Sequence, residues 1–117
     1  MSEEYKLATL KNPTKESYEI KITAPELTFL GVRSQPDFAI LEIIMIPDEK
    51  IIELKSLKYY LLNFRDKVYS YEHLINLVFD DLWAIYKPRK LKVVMTTNPR
   101  GGISSILTVD SDVRYKK

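Results

Sequence analysis

The clearest signal in the chain is a change of period. Tyr18, Ile20 and Ile22 alternate with Glu19, Lys21 and Thr23, which puts one set of side chains on a core face and predicts a strand closed by Ala24-Pro25. Residues 38–46 (FAILEIIMI) are nearly all apolar, with Glu42 the one charge, and predict a second strand covered on both faces and ended by Pro47-Asp48. The period then becomes helical. Leu57, Tyr60, Leu61 and Phe64 predict an amphipathic helix over 56–67. Over 71–86, Leu74, Leu77, Val78, Leu82 and Ile85 form one apolar stripe, and Ile75, Phe79, Trp83 and Tyr86 form another. A helix apolar on two sides needs two partners, one of which is expected to be a second subunit. Pro88 stops it. Leu91, Val93, Met95 and Thr97 then mark a third strand, Asn98 to Gly102 a turn, and residues 103–109 a fourth strand.

The order ββααββ, without an internal repeat, predicts an α+β fold: a four-stranded antiparallel sheet carrying two helices on one face. Residues 1–17, with Asn12-Pro13 and no periodicity, read as a flexible arm, residues 18–110 as a single domain, and residues 111–117 as a polar tail that frays. Open sheet edges and the two-faced helix point to a homo-oligomer.

Composition narrows the chemistry. Cysteine is absent and His73 is the only histidine, which excludes structural zinc, iron–sulfur and disulfide frameworks, and Cys-His or Ser-His nucleophile pairs within one chain; no metal site is expected. A formal charge of +2 is too small for a dedicated nucleic-acid arm, so no direct nucleic-acid partner is expected. No stretch approaches the roughly 18 apolar residues of a membrane span, so the expectation is a soluble, cytoplasmic protein.

Four clusters carry candidate chemistry, each with a plainer reading beside it. Gln35-Pro36-Asp37-Phe38 sets a carboxyl at a strand start, where it serves proton transfer or an ordinary Asx turn. Glu53 to Tyr60 (ELKSLKYY) places Lys55 and Lys58 three apart at a helix start, suited to phosphates or to a solvated face, with Ser56 as an added donor. Tyr71-Glu72-His73 opens the second helix, where the dipole favours Glu72 in any case. Pro99-Arg100-Gly101-Gly102-Ile103-Ser104 contacts a ligand or is only a tight hairpin turn.

In this order and spacing, from about residue 24 to 104, the four clusters resemble the NADPH-dependent 7-cyano-7-deazaguanine reductases, the nitrile reductases of queuosine biosynthesis and hence of tRNA modification, in their short single-module form. The resemblance implies the tunnelling fold shared with GTP cyclohydrolase I and the pterin enzymes, assembled into stacked rings with pockets at subunit contacts. It implies Asp37 as general acid and base beside the nitrile, and Glu72, with Tyr71 beside it, binding the guanine-like edge of the base. It implies NADPH held by Glu53, Lys55, Ser56 and Lys58, with Arg100 and Gly101 as further contacts. No Gly-rich dinucleotide fingerprint is present, so a dinucleotide has to be held in this other way.

Two departures matter. The family usually carries histidine immediately before the glutamate, where this chain has Tyr71. The reductases also attack the nitrile with a cysteine a few residues before the Gln-Pro-Asp-Phe motif, forming a covalent thioimide that NADPH reduces. Here Gly31-Val32-Arg33-Ser34 fills that interval, one residue shorter and without a thiol, and Ser34 has neither the right offset nor an adjacent histidine base. The expected protein therefore keeps a pocket for a 7-deazaguanine, purine or pterin base and a cofactor motif, but not the thioimide route. The alternatives are an amidine-forming reductase-like protein of archaeosine tRNA modification, or a non-catalytic base-binding oligomer. Completion of the site by a cysteine-bearing paralogue stays open.

Overall fold

The computed structural model describes residues 6–116. Its main sheet has four antiparallel strands in the order β2-β3-β5-β6: β2 is Ile20–Leu30, β3 Pro36–Ile46, β5 Lys90–Thr97 and β6 Ile106–Asp110. Helices α1 (Leu54–Leu62) and α2 (Tyr71–Tyr86) lie between β3 and β5 in the chain. The short strands β1 (Thr9–Lys11) and β4 (Lys50–Ile52) pair with each other as a separate ribbon.

β2 does not stop at Ala24-Pro25, as the alternation predicts, but runs on to Leu30. The register moves from Ala24 opposite Leu41 to Leu27 opposite Ala39, so a bulge takes up Pro25, which has no N–H for the ladder. β3 is also not covered on both faces. Asp37, Ala39, Leu41, Ile43 and Met45 point into the core, whereas Phe38 and Ile40 on the other face are 46% and 38% exposed. The helices occupy one side of the sheet only, which leaves an apolar strip on the other that Ile106 extends.

Segment 6–12 is tied down rather than free. Leu7 is buried, Tyr86 donates its hydroxyl proton to the Ala8 carbonyl at 2.7 Å, and Asn12 is held by Tyr18 and by the backbone at Asp48 and Glu49. These contacts join residues far apart in sequence, which local periodicity cannot register. α1 ends at Leu62, earlier than its apolar spacing predicts, and β6 begins at Ile106 rather than at residue 103.

The tail supplies the second partner of α2. Ser111–Arg114 forms a short helix α3, and Tyr115 packs on Trp83 at 4.9 Å between ring centroids. The Arg114 guanidinium lies 4.7 Å from the Phe79 ring centroid, pairs with Asp80 at 2.9 Å and bonds Asn76. The Phe79–Trp83 stripe is therefore covered in part by the chain's own tail.

Between the two main helices, the buried Tyr60 donates its hydroxyl proton to Asp81 at 2.6 Å. Burial, then the Asp81 hydrogen bond and charge, push this phenol well above its ordinary value of 10.0. Burial likewise pushes Tyr86 up to about 12. A phenol whose folded pKa is raised contributes stability that is present below the unfolded value and is lost as pH rises through the folded one. The melting temperature is accordingly expected to fall steadily above about pH 10, with a shallower fall in Tyr60→Phe. At neutral pH that variant should lose about 1–3 kcal/mol, because Asp81 is left without its donor. Parallel pH profiles for parent and variant would show that this phenol does not set the alkaline limit.

Candidate functional site

Three chain segments meet beyond the start of β3. Leu30 N–H donates to the Lys67 carbonyl at 2.9 Å and Tyr69 N–H to the Leu30 carbonyl at 2.8 Å, which brings the entry of α2 beside the β2–β3 turn. From the other side, Asn98 N–H reaches the Phe38 carbonyl and Arg100 Nη2 donates to the Pro36 carbonyl at 3.2 Å. Between them lies a cleft of about 430 Å³ whose walls include Asp37, Tyr71, Glu72 and Arg100.

Asp37 is 4% exposed. Its position on β3 turns the side chain inward by the strand alternation, but the sheet ends there, so the carboxyl meets the cleft rather than the core. Oδ2 accepts from Gln35 Nε2 at 3.1 Å. Arg100 Nη2 stands 2.7 Å from Oδ1, but not along a hydrogen-bonding direction, and Oδ1 is left as a buried acceptor without a hydrogen-bond partner. The Arg100 ion pair compensates the buried charge, and the Oδ1 lone pair left without a hydrogen bond is available to a ligand donor. Burial, and next the Asp37 charge, raise the Tyr71 phenol from its ordinary value, with Arg100 opposing. Tyr71 therefore keeps its proton at neutral pH and stands as a neutral hydroxyl near Asp37, its ring held edge-on to Phe29.

Glu72 lies in the first turn of α2, where Ser70 already caps the helix by accepting from His73 N–H at 3.1 Å. The carboxylate is exposed to the cleft, and among the described residues no hydrogen bond or ion pair engages it. It is free to accept two parallel N–H bonds from a planar ligand. His73 turns away to pack edge-on against Tyr69 at 5.2 Å.

The residues inferred for a dinucleotide are divided. Arg100 belongs to the Asp37 cleft, and Gly101 sits next to it in the turn with φ of 61°. Glu53, Lys55, Ser56 and Lys58 belong to the start of α1 and do not line that cleft. Glu53 caps the helix by accepting from Lys55 N–H at 2.6 Å and Ser56 N–H at 3.1 Å. Ser56 Oγ donates to the Glu53 carbonyl and accepts from Ala8 N–H. Among the described residues no carboxylate pairs with Lys55 or Lys58, and Lys58 lies 5.5 Å from the Tyr59 ring centroid. Sequence reasoning passed over Gln35, Asn98, Thr97 and Ser105, which also line the cleft. For Gln35 the signal was present, two positions from Asp37 on the same side of an extended segment.

The sheet, its two helices on one face and the cleft at the start of β3 define an α+β protein of the tunnelling-fold type. The crystal structure of an archaeosine synthase QueF-Like in the apo form superposes with a TM-score of 0.69, covering 80% of this chain and 91% of that one at 14% identity, a likeness of fold. The family described as QueF-like protein matches residues 36–116. A protein of Aquifex aeolicus named NADPH-dependent 7-cyano-7-deazaguanine reductase is 44% identical over 115 residues, 97% of this chain and 89% of its own length. A protein of the same name from Thermomicrobium roseum is 41% identical, covering 95% of this chain and 85% of its own. The chain belongs to the QueF-like protein family.

Proposed function

We propose that the cleft binds a 2-amino-4-oxo base of the 7-deazaguanine class non-covalently, in a protein that keeps the family's pocket without its thiol. The observation that carries this reading is the convergence of Asp37, Tyr71, Glu72 and Arg100 on one cleft, from three separate segments of the chain. Glu72 takes the ring N–H and exocyclic amine of the base, and Asp37 Oδ1, paired with Arg100, faces the substituent on the five-membered ring. The relatives' names supply the base class and the cofactor.

NADPH fits this chain in a limited way. Lys55 and Lys58, without an ion pair among the described residues, offer two cations for its phosphates. The helix N–H groups beside them are already satisfied by Glu53, so the ammonium groups carry the contact and not the helix terminus. When bound, NADPH supplies a hydride. The amidine-forming alternative gains no support beyond the fold, because the archaeosine synthase shares only 14% identity.

The assembly is a homo-oligomer, stacked rings being the form the family resemblance implies. The support is the apolar strip of Phe38, Ile40 and Ile106 on the uncovered sheet face, together with the unpaired edges of β2 and β6. Calorimetric titration with 7-cyano-7-deazaguanine should show saturable binding that adenine does not reproduce, and light scattering on the same sample should show an oligomer. Failure of the cyano base to bind would overturn the base-pocket reading, and a monomer at micromolar concentration would overturn the assembly.

A further inference from the structure

The β2–β3 turn contains an arrangement that the base-pocket reading does not use. A Cβ built on Gly31 would lie 1.9 Å from Gln35 Nε2 and 2.2 Å from Asp37 Oδ2, far inside any real contact. Gly31 is not in the left-handed region, so it is glycine for space and not for backbone conformation. What fills that space is the Gln35 carboxamide. It is held at both ends, with Oε1 accepting from Arg33 N–H at 3.0 Å and Nε2 donating to Asp37 Oδ2 at 3.1 Å. The turn beneath is closed by Gly31 N–H to the Gln35 carbonyl and Ser34 N–H to the Gly31 carbonyl, both at 2.7 Å. Because the Arg33 N–H takes the amide oxygen, the amide nitrogen has to face Asp37, and the carboxamide cannot flip without losing both bonds.

We infer that Gln35 is the positioning residue of Asp37, and that Gly31 is bare in order to admit it. Gln35 engages Oδ2 while Arg100 pairs with Oδ1 at 2.7 Å, so the carboxyl plane is fixed and the Oδ1 lone pair that no hydrogen bond fills is the one presented to a ligand. The ligand atom that meets it is a donor, or an atom that receives a proton there. A side chain at position 31 evicts the carboxamide and turns Asp37 away. The assignment rests on the base-binding reading for its ligand, but its geometry is testable without one.

The test is a double-substitution cycle of Gly31→Ala, Gln35→Ala and the pair, read by melting temperature without ligand and by affinity for 7-cyano-7-deazaguanine. Gly31→Ala should lower the melting temperature and weaken binding. Gln35→Ala should weaken binding about tenfold or more, the loss of one charge-assisted hydrogen bond, with little change in melting. Adding Gly31→Ala to Gln35→Ala should then change neither, because the space is vacant. Gln35→Glu adds a reading that mere space-filling would not move. Its carboxyl meets Asp37 in a site that also holds Arg100, Tyr71 and Glu72, so the pair shares a proton and affinity falls more steeply than the parent's as pH rises from about 5 to 8. Additive losses in melting temperature overturn the shared-space geometry. Undiminished binding by Gln35→Ala, or parallel pH profiles for Gln35→Glu and the parent, overturn the positioning role. If the parent itself does not bind, the base-pocket reading fails, and the melting cycle still decides whether Gln35 fills the space over Gly31.

Discussion

Glu72→Ala should lose at least about 100-fold in affinity for 7-cyano-7-deazaguanine while melting within a degree or two of the parent. Two charge-assisted hydrogen bonds disappear, each worth roughly 1.5–3 kcal/mol, and about 1.4 kcal/mol corresponds to tenfold. The ring N–H and exocyclic amine of the base are then left facing a cleft wall with no acceptor. Stability should hardly change, because Glu72 is exposed and the helix cap is Ser70. Glu72→Gln is the sharper variant. It preserves shape but sets an NH2 group against a ligand donor, so it should bind no better than the alanine variant. Binding by Glu72→Gln at parental strength would remove Glu72 from the pocket, whatever the other cleft residues do.

The fold was legible where the signal was local and periodic. The alternation in β2 and β5 and the two stripes of α2 follow directly from side-chain geometry, and α2 spans the residues its pattern predicted. The failures share a cause. Whether an apolar residue such as Phe38 or Ile40 faces the core or the uncovered face depends on where the helices pack, and FAILEIIMI reads the same either way. Tyr115 and Arg114 were not legible as partners of the Phe79–Trp83 stripe because they lie in a polar tail with no pattern of their own. The bulge at Pro25 and the docking of Leu7 and Ala8 depend on strand register and on contacts with residues more than forty positions away.

The candidate site was legible as four clusters but not as a constellation. Asp37, Glu72 and Arg100 are scattered along the chain, and long-range contacts such as the Leu30 to Tyr69 pairing and the Arg100 bond to Pro36 bring them together. Glu53 and Ser56 show the reverse. Their motif suggested ligand contacts, yet their polar atoms cap α1 and hold Ala8, which leaves the two lysines, without an ion pair among the described residues. Gln35 was visible beside Asp37, but that its carboxamide fills the space over Gly31 is a fact of the turn and not of the sequence.

With 7-cyano-7-deazaguanine and NADPH together, the chain should give no NADPH oxidation above background and no covalent adduct by intact mass, even though the base binds. Nucleophilic catalysis divides one hard step into two easier ones, and it needs an activated nucleophile at the nitrile carbon. No cysteine exists in the chain. The space over Gly31, beside Asp37, is filled by a carboxamide, which is not a nucleophile. Hydroxyls do not replace the thiol. Ser34 sits outside the cleft wall; of the serines in it, Ser70 caps α2, Ser105 is engaged with Thr97, and Ser104 has no activating base beside it among the described residues. The one histidine packs on Tyr69 rather than serving any of them as a base. Protonation of the nitrile nitrogen alone would leave the carbon without the covalent intermediate that the resemblance implies for the reductases. The Aquifex aeolicus relative, assayed in parallel, provides the positive control for the reaction its name describes. Base-dependent loss of the NADPH absorbance in a preparation free of contaminating reductase would overturn this expectation and require a cysteine-independent route centred on Asp37. If the absorbance holds steady while calorimetry shows saturable binding of the base, the cleft is a binding site whose chemistry has been removed along with its sulfur.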